Sequence, residues 1–268
     1  MRKIFSLILI IIILLSNISL SQDYSNKNFN KIISLSPSTT ELIYFINKQD
    51  NLIAVTNDCN YPPEVIKKTK IGKFGFIDVE KIISLKPDLI LATKEMENQI
   101  KILEKYNIPV IKLKNENIED IFYNIKYLSN LLKAKDKSEE LKAKYLNLIK
   151  KVKITNKKIL FVIWHEPIIT VGNSTFINDI IEKSGYLNVT KSINSGYFKV
   201  DNEFLLKNNP DIILIPKSIF DKINFSKHPW KYFNAVKNKK IYKIDDDIFL
   251  RPSPRVIDSI NYIRLLAL

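Results

Sequence analysis

Few residues of this chain could carry out metal, nucleotide or nucleophilic chemistry. The soft metal ligands are His165, His228 and the single cysteine Cys59, and none of them stands at a spacing that metal motifs use. With five glycines the chain contains no phosphate-cradling loop, and no serine lies in the sharp-turn pattern that exposes a nucleophile. We therefore expect no catalytic residue, no metal site and no cofactor, and we expect His228 to be structural.

The groups that could bind a ligand lie in loops that follow short apolar runs. Such runs are typical of buried parallel strands, and loops at the carboxyl ends of parallel strands form the binding crevice of an open α/β sheet. The loops placed in this way are 36–40, 57–61, 164–167 and 245–251. Loops from two sheets that face each other would form one cleft.

A helix predicted over 136–152 would connect the two halves of the chain. Its apolar residues recur at offsets of 0, +4, +7, +8 and +11 from Leu141, which places them on one stripe, and lysines occupy the opposite face. Asp136 can cap the helix start, and Glu139 can complete a capping box. At 1.5 Å per residue the helix would be roughly 25 Å long, enough to join two lobes stiffly. An ordinary surface helix is the alternative.

A repeated segment flanks this helix. Residues 78–92 read DVEKIISLKPDLILA, and residues 201–215 read DNEFLLKNNPDIILI. Both copies have Asp first and Glu third, and both continue to Pro-Asp and an aliphatic run. Because Pro ends a helix and an aliphatic run suits a covered strand, each copy predicts a short helix, a turn and a buried strand. We expect the matched Asp and Glu to have no structural need to recur.

Strands that alternate with helices on both sides of the predicted helix favour an α/β fold with two lobes and parallel sheets. We place the first lobe at 31–135, the linking helix at 136–153 and the second lobe at 157–268. A hydrophobic content of 46% in 268 residues suffices for one large core or two modest ones.

The first residues predict export. Residues 1–21 combine a basic start, an apolar run and small residues before Gln22, the pattern of a signal peptide cleaved near Ser21. The alternative is a retained anchor, but the run is short of the ~20 residues that a membrane span needs. One cysteine permits no intramolecular disulfide. Scattered lysines carry most of the net charge of +14 without the basic stripe of a nucleic-acid-binding protein, so we expect no nucleic-acid partner.

Several motifs, in their order along the chain, resemble those of one transporter family. They are the stretches 32–41, 60–64, 78–92 and 251–255. Over about residues 31–268 the chain is similar to the vitamin B12 (cobalamin) and iron-siderophore substrate-binding proteins of ABC importers. The resemblance implies two Rossmann-like lobes joined by one long helix, the class III fold of the helical backbone metal receptor type. It also implies an ABC importer permease and ATPase complex as partner, no enzymatic activity and a monomer.

The resemblance also gives the repeat a function. In this family one exposed glutamate on each lobe docks onto arginines of the membrane permease, and Glu80 and Glu203 occupy those positions. A permease of paired subunits presents the same basic patch twice, which would explain a duplicated glutamate. The alternative is two helix-start glutamates that interact favourably with the helix dipole.

Ligand-contacting positions follow from the same resemblance. Phe74 matches a position where cobalamin-binding members have Trp, and Asp58 matches one where they have Tyr. The stretch from Asp247 to Arg251 matches a ligand-contacting loop of the family, and Asp247 and Arg251 are the residues that the family has at those positions. Apart from the resemblance, Tyr61, Trp164, Tyr197 and Phe198 supply other aromatic surface near the predicted cleft. His165, at the end of a predicted strand, is a further candidate ligand residue, and the alternative is a plain loop histidine. Aromatic walls with a few polar anchors suit a large planar ligand.

The ligand expected first is cobalamin or a related corrinoid, and the alternative is a ferric siderophore or haem. Anionic siderophores favour several Arg or Lys in the cleft, and haem favours an axial Tyr or His. Arg251 is one anchor rather than a basic cluster, which favours the corrinoid. A two-lobed enzyme of the glycosyltransferase type would also consist of two α/β lobes, but it would need a nucleotide-phosphate site.

Overall fold

The computed structural model describes residue 24 and residues 27–266, and the predicted signal peptide lies outside them. None of the helices in that part of the chain has the length and apolar character that a membrane span requires. The chain forms two lobes, each built on a parallel sheet, so the predicted two-lobed α/β class is confirmed.

The strands are short. In chain order they are β1 (Ile32–Ser34), β2 (Leu52–Val55), β3 (Thr69–Lys70), β4 (Gly72–Lys73), β5 (Phe76–Ile77), β6 (Leu89–Thr93), β7 (Val110–Leu113), β8 (Lys158–Phe161), β9 (Trp164–His165), β10 (Ile168–Val171), β11 (Leu187–Asn188), β12 (Tyr197–Lys199), β13 (Ile212–Pro216) and β14 (Ile241–Ile244). The α-helices are α1 (Pro37–Phe45), α2 (Val79–Ser84), α3 (Glu97–Glu104), α4 (Ile118–Leu131), α5 (Ser138–Ile149), α6 (Phe176–Lys183), α7 (Asn202–Asn208), α8 (Lys217–Phe220), α9 (Asn234–Lys237), α10 (Asp246–Phe249) and α11 (Val256–Leu265).

The two main sheets are wholly parallel. In the first lobe the strand order is β3-β2-β1-β6-β7, and in the second lobe it is β11-β8-β13-β14. The central strands β6 and β13 are buried along their whole length, which explains their uninterrupted aliphatic sequences. Two antiparallel pieces add to this plan: the hairpin β4-β5 in the first lobe and the small sheet β12-β10-β9 in the second.

The apolar core passes from one lobe to the other without a break. One cluster of buried side chains includes Leu91 of the first sheet and Leu214 of the second, and it continues through α1, α4, α5, α6 and α11. Separate clusters cover the other faces of the sheets, around Ile90 in the first lobe and Ile213 in the second. Successive residues of a strand therefore face the shared core and an outer core in turn.

The helix between the lobes is shorter than the sequence pattern predicts, and the predicted bounds of 136–153 are wrong. Helix α5 begins at Ser138 and ends at Ile149. Asp136 does not form a capping box with Glu139. Its carboxylate instead accepts a hydrogen bond, at 2.8 Å, from the amide of Ser138, which is the first residue of the helix.

Tertiary contacts end the helix early. Beyond α5 the chain packs closely on Gly185, whose carbonyl accepts a hydrogen bond from the Thr155 amide at 2.7 Å. A Cβ atom at position 185 would collide with the carbonyl oxygen of Lys153, and Gly185 has a φ of +88°, so this contact requires glycine. Helical propensity is a weak preference, and here the packing of the following segment overrides it.

Both repeat units fold as predicted, into a short helix that leads to a central strand. Asp78 begins α2 and accepts a hydrogen bond from the Lys81 amide at 2.9 Å, and Asp201 begins α7 and accepts one from the Glu203 amide at 2.7 Å. The recurring Asp is thus a helix N-cap, and the expectation that it has no structural need to recur is wrong. No such contact explains the recurring Glu.

The Pro-Asp step of the repeat aligns neighbouring strands. The carboxylate of Asp88 accepts hydrogen bonds from the amides of Asn30, at 2.7 Å, and Lys31, at 3.0 Å, just before β1. Asp211 makes the equivalent bond to the amide of Lys158, at 2.8 Å, at the start of β8. Each aspartate therefore fixes the register of a central strand against its parallel neighbour.

Replacing Asp211 with Ala is expected to lower the free energy of unfolding by about 1 kcal/mol. Hydrogen bonds to charged groups contribute about 1.5–3 kcal/mol, and partial exposure reduces this one. Urea unfolding of the variant measures the loss. Asp50→Ala, which removes an exposed carboxylate in a 3-10 turn, is the control. Equal losses in the two variants would mean that the strand contact contributes nothing.

Candidate ligand-binding cleft

A cleft of about 600 Å³ lies between the lobes, where the carboxyl ends of the first sheet face loops of the second lobe. This volume is in the range of small-molecule sites. The first lobe contributes Ser36 to Ser38 at the start of α1, Asp58, the hairpin β4-β5 and Glu95. The second lobe contributes Tyr197 at the start of β12 and the segment that contains α10. Three of the four loops predicted from the sequence, 36–40, 57–61 and 245–251, therefore contribute to the cleft, whereas 164–167 does not.

The hairpin β4-β5 forms most of the first wall. Its tip is held to the neighbouring loop by a hydrogen bond from the Phe74 amide to the Asp58 carboxylate, at 2.6 Å. Gly72 has a φ of +98°, and a Cβ atom there would collide with the carbonyl oxygen of Phe76, so only glycine permits this tight turn. Phe74 is 39% exposed and Phe76 is 84% exposed, and both line the cleft.

The second wall is aromatic and acidic. Tyr197 lines the cleft. Desolvation by burial raises the pKa of its phenol, and the carboxylate of Glu95 raises it further. The hydroxyl is therefore neutral at physiological pH and can donate a hydrogen bond. Asp246 accepts hydrogen bonds from the amide and the hydroxyl of Ser218, which fixes the start of α10.

A network of charged groups closes the floor of the cleft and joins the lobes. Glu41 of α1 is 2% exposed, and its carboxylate lies 3.2 Å from the guanidinium of Arg251 and 2.6 Å from that of Arg255. Arg251 also binds Asp247 at 2.5 Å and the side-chain oxygen of Asn60 at 2.7 Å. Asn60 in turn donates to Asp247 at 2.6 Å. We call these five residues the Glu41 network.

The Glu41 network leaves the cleft with an acidic surface. Two carboxylates, of Glu41 and Asp247, balance the two guanidinium groups within it. Arg251 is thus neutralised by its own partners, and it also donates to the carbonyl of Asp58 at 3.1 Å. The charged groups that remain on the walls are the carboxylates of Asp58, Glu95 and Asp246 and the ammonium of Lys73.

Comparison with known proteins identifies the family. The profile of the family described as periplasmic binding protein matches residues 32–248. The chain belongs to the periplasmic binding protein family. The family predicted from the sequence motifs is thereby confirmed.

Two relatives and one solved structure illustrate the range of this family. The chain is 31% identical over 252 residues to the vitamin B12-binding protein of Vibrio vulnificus (strain CMCP6), covering 87% of this chain and 88% of that protein. It is 30% identical over 249 residues to an uncharacterized ABC transporter substrate-binding lipoprotein of Bacillus subtilis (strain 168), covering 88% and 79%. The periplasmic heme binding protein HutB of Vibrio cholerae has the same fold, with a TM-score of 0.76 at 20% identity, covering 88% of this chain and 98% of that one.

The structure brings part of the predicted ligand set together in this periplasmic binding protein. The predicted residues that line the cleft are Asp58, Phe74, Tyr197, Asp247 and Arg251. Their contact with a ligand stays a prediction. Arg251 is placed differently from a free anchor, because its guanidinium is already bound to groups of both lobes.

The other predicted ligand residues lie outside the cleft. Strand β9 pairs with β10 in the antiparallel sheet, and this pairing carries Trp164 and His165 away from the carboxyl end of β8. His165 lines a separate cavity of about 470 Å³ together with His228. Phe198 packs against the outer core of the second lobe, and the ring of Tyr61 lies under the guanidinium of Arg255 at 4.0 Å.

Sequence reasoning missed several residues of the cleft. Phe76 and Glu95 line its first wall. Glu41 and Arg255 do not line the cleft, but they bind Arg251 and Asp247, which do. Residues 73–77 show the alternation of a strand and are accompanied by Gly72 and Gly75. This pattern indicates a hairpin with one face outward and could have identified Phe76. Glu41 and Arg255 are 214 positions apart, and no pattern in one sequence pairs charges over that separation.

The two predicted docking glutamates lie on different lobes and on equivalent helices. Glu80 and Glu203 are exposed in the first turns of α2 and α7, and their carboxylates form no ion pair or hydrogen bond with any residue from 27 to 266. Their role in docking stays a prediction.

Replacing Glu41 with Ala is expected to lower the free energy of unfolding by about 3 kcal/mol. Removing one partner of a buried ion pair leaves uncompensated charge, which typically costs about 3–5 kcal/mol. Glu140→Ala, which removes an exposed pair with Lys144, should change stability by less than about 0.5 kcal/mol. Denaturant unfolding of both variants measures the difference. A Glu41→Ala protein as stable as the control would contradict the assigned role of the Glu41 network.

Proposed function

We propose that this chain is the extracytoplasmic substrate-binding protein of an ABC importer, that it captures a corrinoid in the cleft, and that it catalyses no reaction. The observation that carries the proposal is the cleft itself, which has aromatic rings on opposite lobes and carboxylates on both walls. The predicted signal peptide at 1–21 agrees with an extracytoplasmic location. Relatives that match most of the chain are named as ABC transporter substrate-binding and vitamin B12-binding proteins.

The charge of the cleft favours a corrinoid over an anionic chelate. Haem carries propionates and catecholate siderophores carry several negative charges, so both would lie against the carboxylates of Asp58, Glu95 and Asp246, which outnumber the single ammonium of Lys73. Like charges brought together at an interface cost several kcal/mol. A corrin ring instead carries amide groups at its edge, whose N–H groups can donate to carboxylates. Its broad apolar faces suit the rings of Phe74 and Tyr197.

Haem is the second candidate, because one observation favours it. Tyr197 lines the cleft, and tyrosine serves as an axial haem ligand in some proteins. The environment opposes this use, since desolvation and Glu95 raise the pKa of Tyr197 and so stabilise the neutral phenol rather than the phenolate that binds ferric iron.

Absorbance titration distinguishes the two ligands. Purified mature protein is titrated with cyanocobalamin, haemin and a ferric tris-catecholate siderophore. Cyanocobalamin is expected to bind at least tenfold more tightly than either of the others, because it avoids the carboxylate repulsion. Tighter binding of haemin, with the absorption spectrum of a tyrosine-ligated iron, would replace the corrinoid by haem. Failure of all three to bind would remove the proposal.

The second part of the proposal is docking onto a paired membrane permease through Glu80 and Glu203. The N-cap aspartates account for the helices but not for the glutamates that follow them. An exposed glutamate at the equivalent helix start of each lobe matches a partner that presents two equivalent basic sites.

The Glu80→Lys, Glu203→Lys double variant is expected to bind ligand normally and to lose transport. Reversing both charges turns two attractions into repulsions, which can cost several kcal/mol and abolish a modest complex. Uptake and ATPase stimulation are measured in proteoliposomes that contain the cognate importer. The control is Glu64→Lys, Glu139→Lys, which changes the net charge equally at two other exposed helix starts. Full uptake by the Glu80, Glu203 variant would make these residues helix-start glutamates only.

A further inference from the structure

Phe76 has an unusual position for a phenylalanine. Its side chain is 84% exposed, and it lines the wall of the cleft rather than an open surface. Single exposed apolar side chains are common on proteins and need no explanation by themselves. Here the exposed ring lies with Phe74 and Tyr197 in the cleft, where a bound ligand would remove it from water.

The hairpin dictates that Phe76 faces the cleft. Lys73 pairs directly with Phe76, so these two side chains share one face of the hairpin, and Gly72 pairs with Ile77. Ile77 packs against the outer core of the first lobe, on the other face. Because side chains alternate along a strand, burial of Ile77 forces Phe76 outward.

The backbone around Phe76 is held in place at several points. The carbonyl of Gly72 accepts a hydrogen bond from the Asn57 amide at 2.7 Å, and the Phe74 amide binds Asp58. At the tip, the Gly75 amide lies 3.3 Å from the sulfur of Met96, and the side chain of Gln99 donates to the Gly75 carbonyl. A short hairpin with these contacts presents its outward ring in a fixed position.

A second exposed ring stands on the other lobe. Tyr197 is 49% exposed and lines the same cleft as Phe76. A ligand with two flat faces could cover both rings at once, whereas a globular octahedral iron complex offers no flat face to either. Rigid aromatic groups gain the most from such contacts, since little conformational freedom is lost on binding.

We infer that Phe76 stacks on a flat face of the bound ligand, opposite Tyr197, and that it selects flat macrocycles over globular chelates. The inference rests on the proposed corrinoid function and adds to it a residue that sets the shape of the ligand. Phe76 contacts the ligand directly in this arrangement.

Calorimetry and stopped-flow absorbance with cyanocobalamin test the inference on three variants. Phe76→Ala should bind at least tenfold more weakly, mainly through faster dissociation. Phe76→Leu keeps apolar volume without a flat face and should lie between Ala and the wild type. Phe76→Trp should bind like the wild type, and its added indole fluorescence should be quenched by the corrinoid. Ile154→Ala, which removes an 89% exposed side chain that does not line the cleft, should change nothing.

The outcomes separate the inference from the function on which it rests. If the wild type binds cyanocobalamin and Phe76→Ala binds it equally tightly, the inference fails and the function stands. Unquenched indole fluorescence in the Phe76→Trp complex would also overturn the inference, because the side chain would then lie away from the ligand. If the wild type does not bind cyanocobalamin, the corrinoid function and the inference that rests on it both fail.

Discussion

The relative position of the two lobes depends on one buried carboxylate. Glu41 comes from the first lobe, and both guanidinium groups that neutralise it, Arg251 and Arg255, come from the second. Removing such ions from water costs several kcal/mol each, so the pairing adds little net stability over an apolar contact. Its effect is on geometry, because a lobe displaced by an ångström or two would leave charge buried without a partner. The Glu41 network therefore fixes the width of the cleft.

The two binding roles proposed for the chain fall on one short stretch of the sequence. The hairpin that carries Phe74 and Phe76 leads through Asp78 directly into α2, which carries Glu80. The cleft wall at Phe74 and Phe76 and the carboxylate of Glu80 thus belong to one short segment. Asp58 holds the tip of its hairpin, and Asp78 caps α2. No corresponding hairpin precedes α7, where β12 of the antiparallel sheet brings Tyr197 to the cleft instead. The lobes are alike in their repeat units and different in what they present to a ligand.

Local patterns were sufficient to predict the repeat units, most strands and the two-lobed class. These features depend on turn residues, aliphatic runs and helix periodicity, which act over a few positions. The end of α5 was not predictable in this way, since it depends on packing against Gly185, and neither was the antiparallel pairing that moves His165 away from the cleft. Arg251 lines the cleft, but its partner Glu41 is 210 positions away, and a single sequence does not indicate such contacts.

The shared apolar cluster makes the two lobes one cooperative unit. Side chains from both sheets and from the helices between them belong to the same core, so neither lobe has an interior of its own on that side. A lobe expressed alone would expose the inner faces of α1 and α4, or of α6 and α11, to water, at about 25 cal/mol for each Å² of apolar surface. The two lobes are therefore separate walls of the cleft but not separate folding units. We expect residues 27–266 to unfold in a single thermal transition.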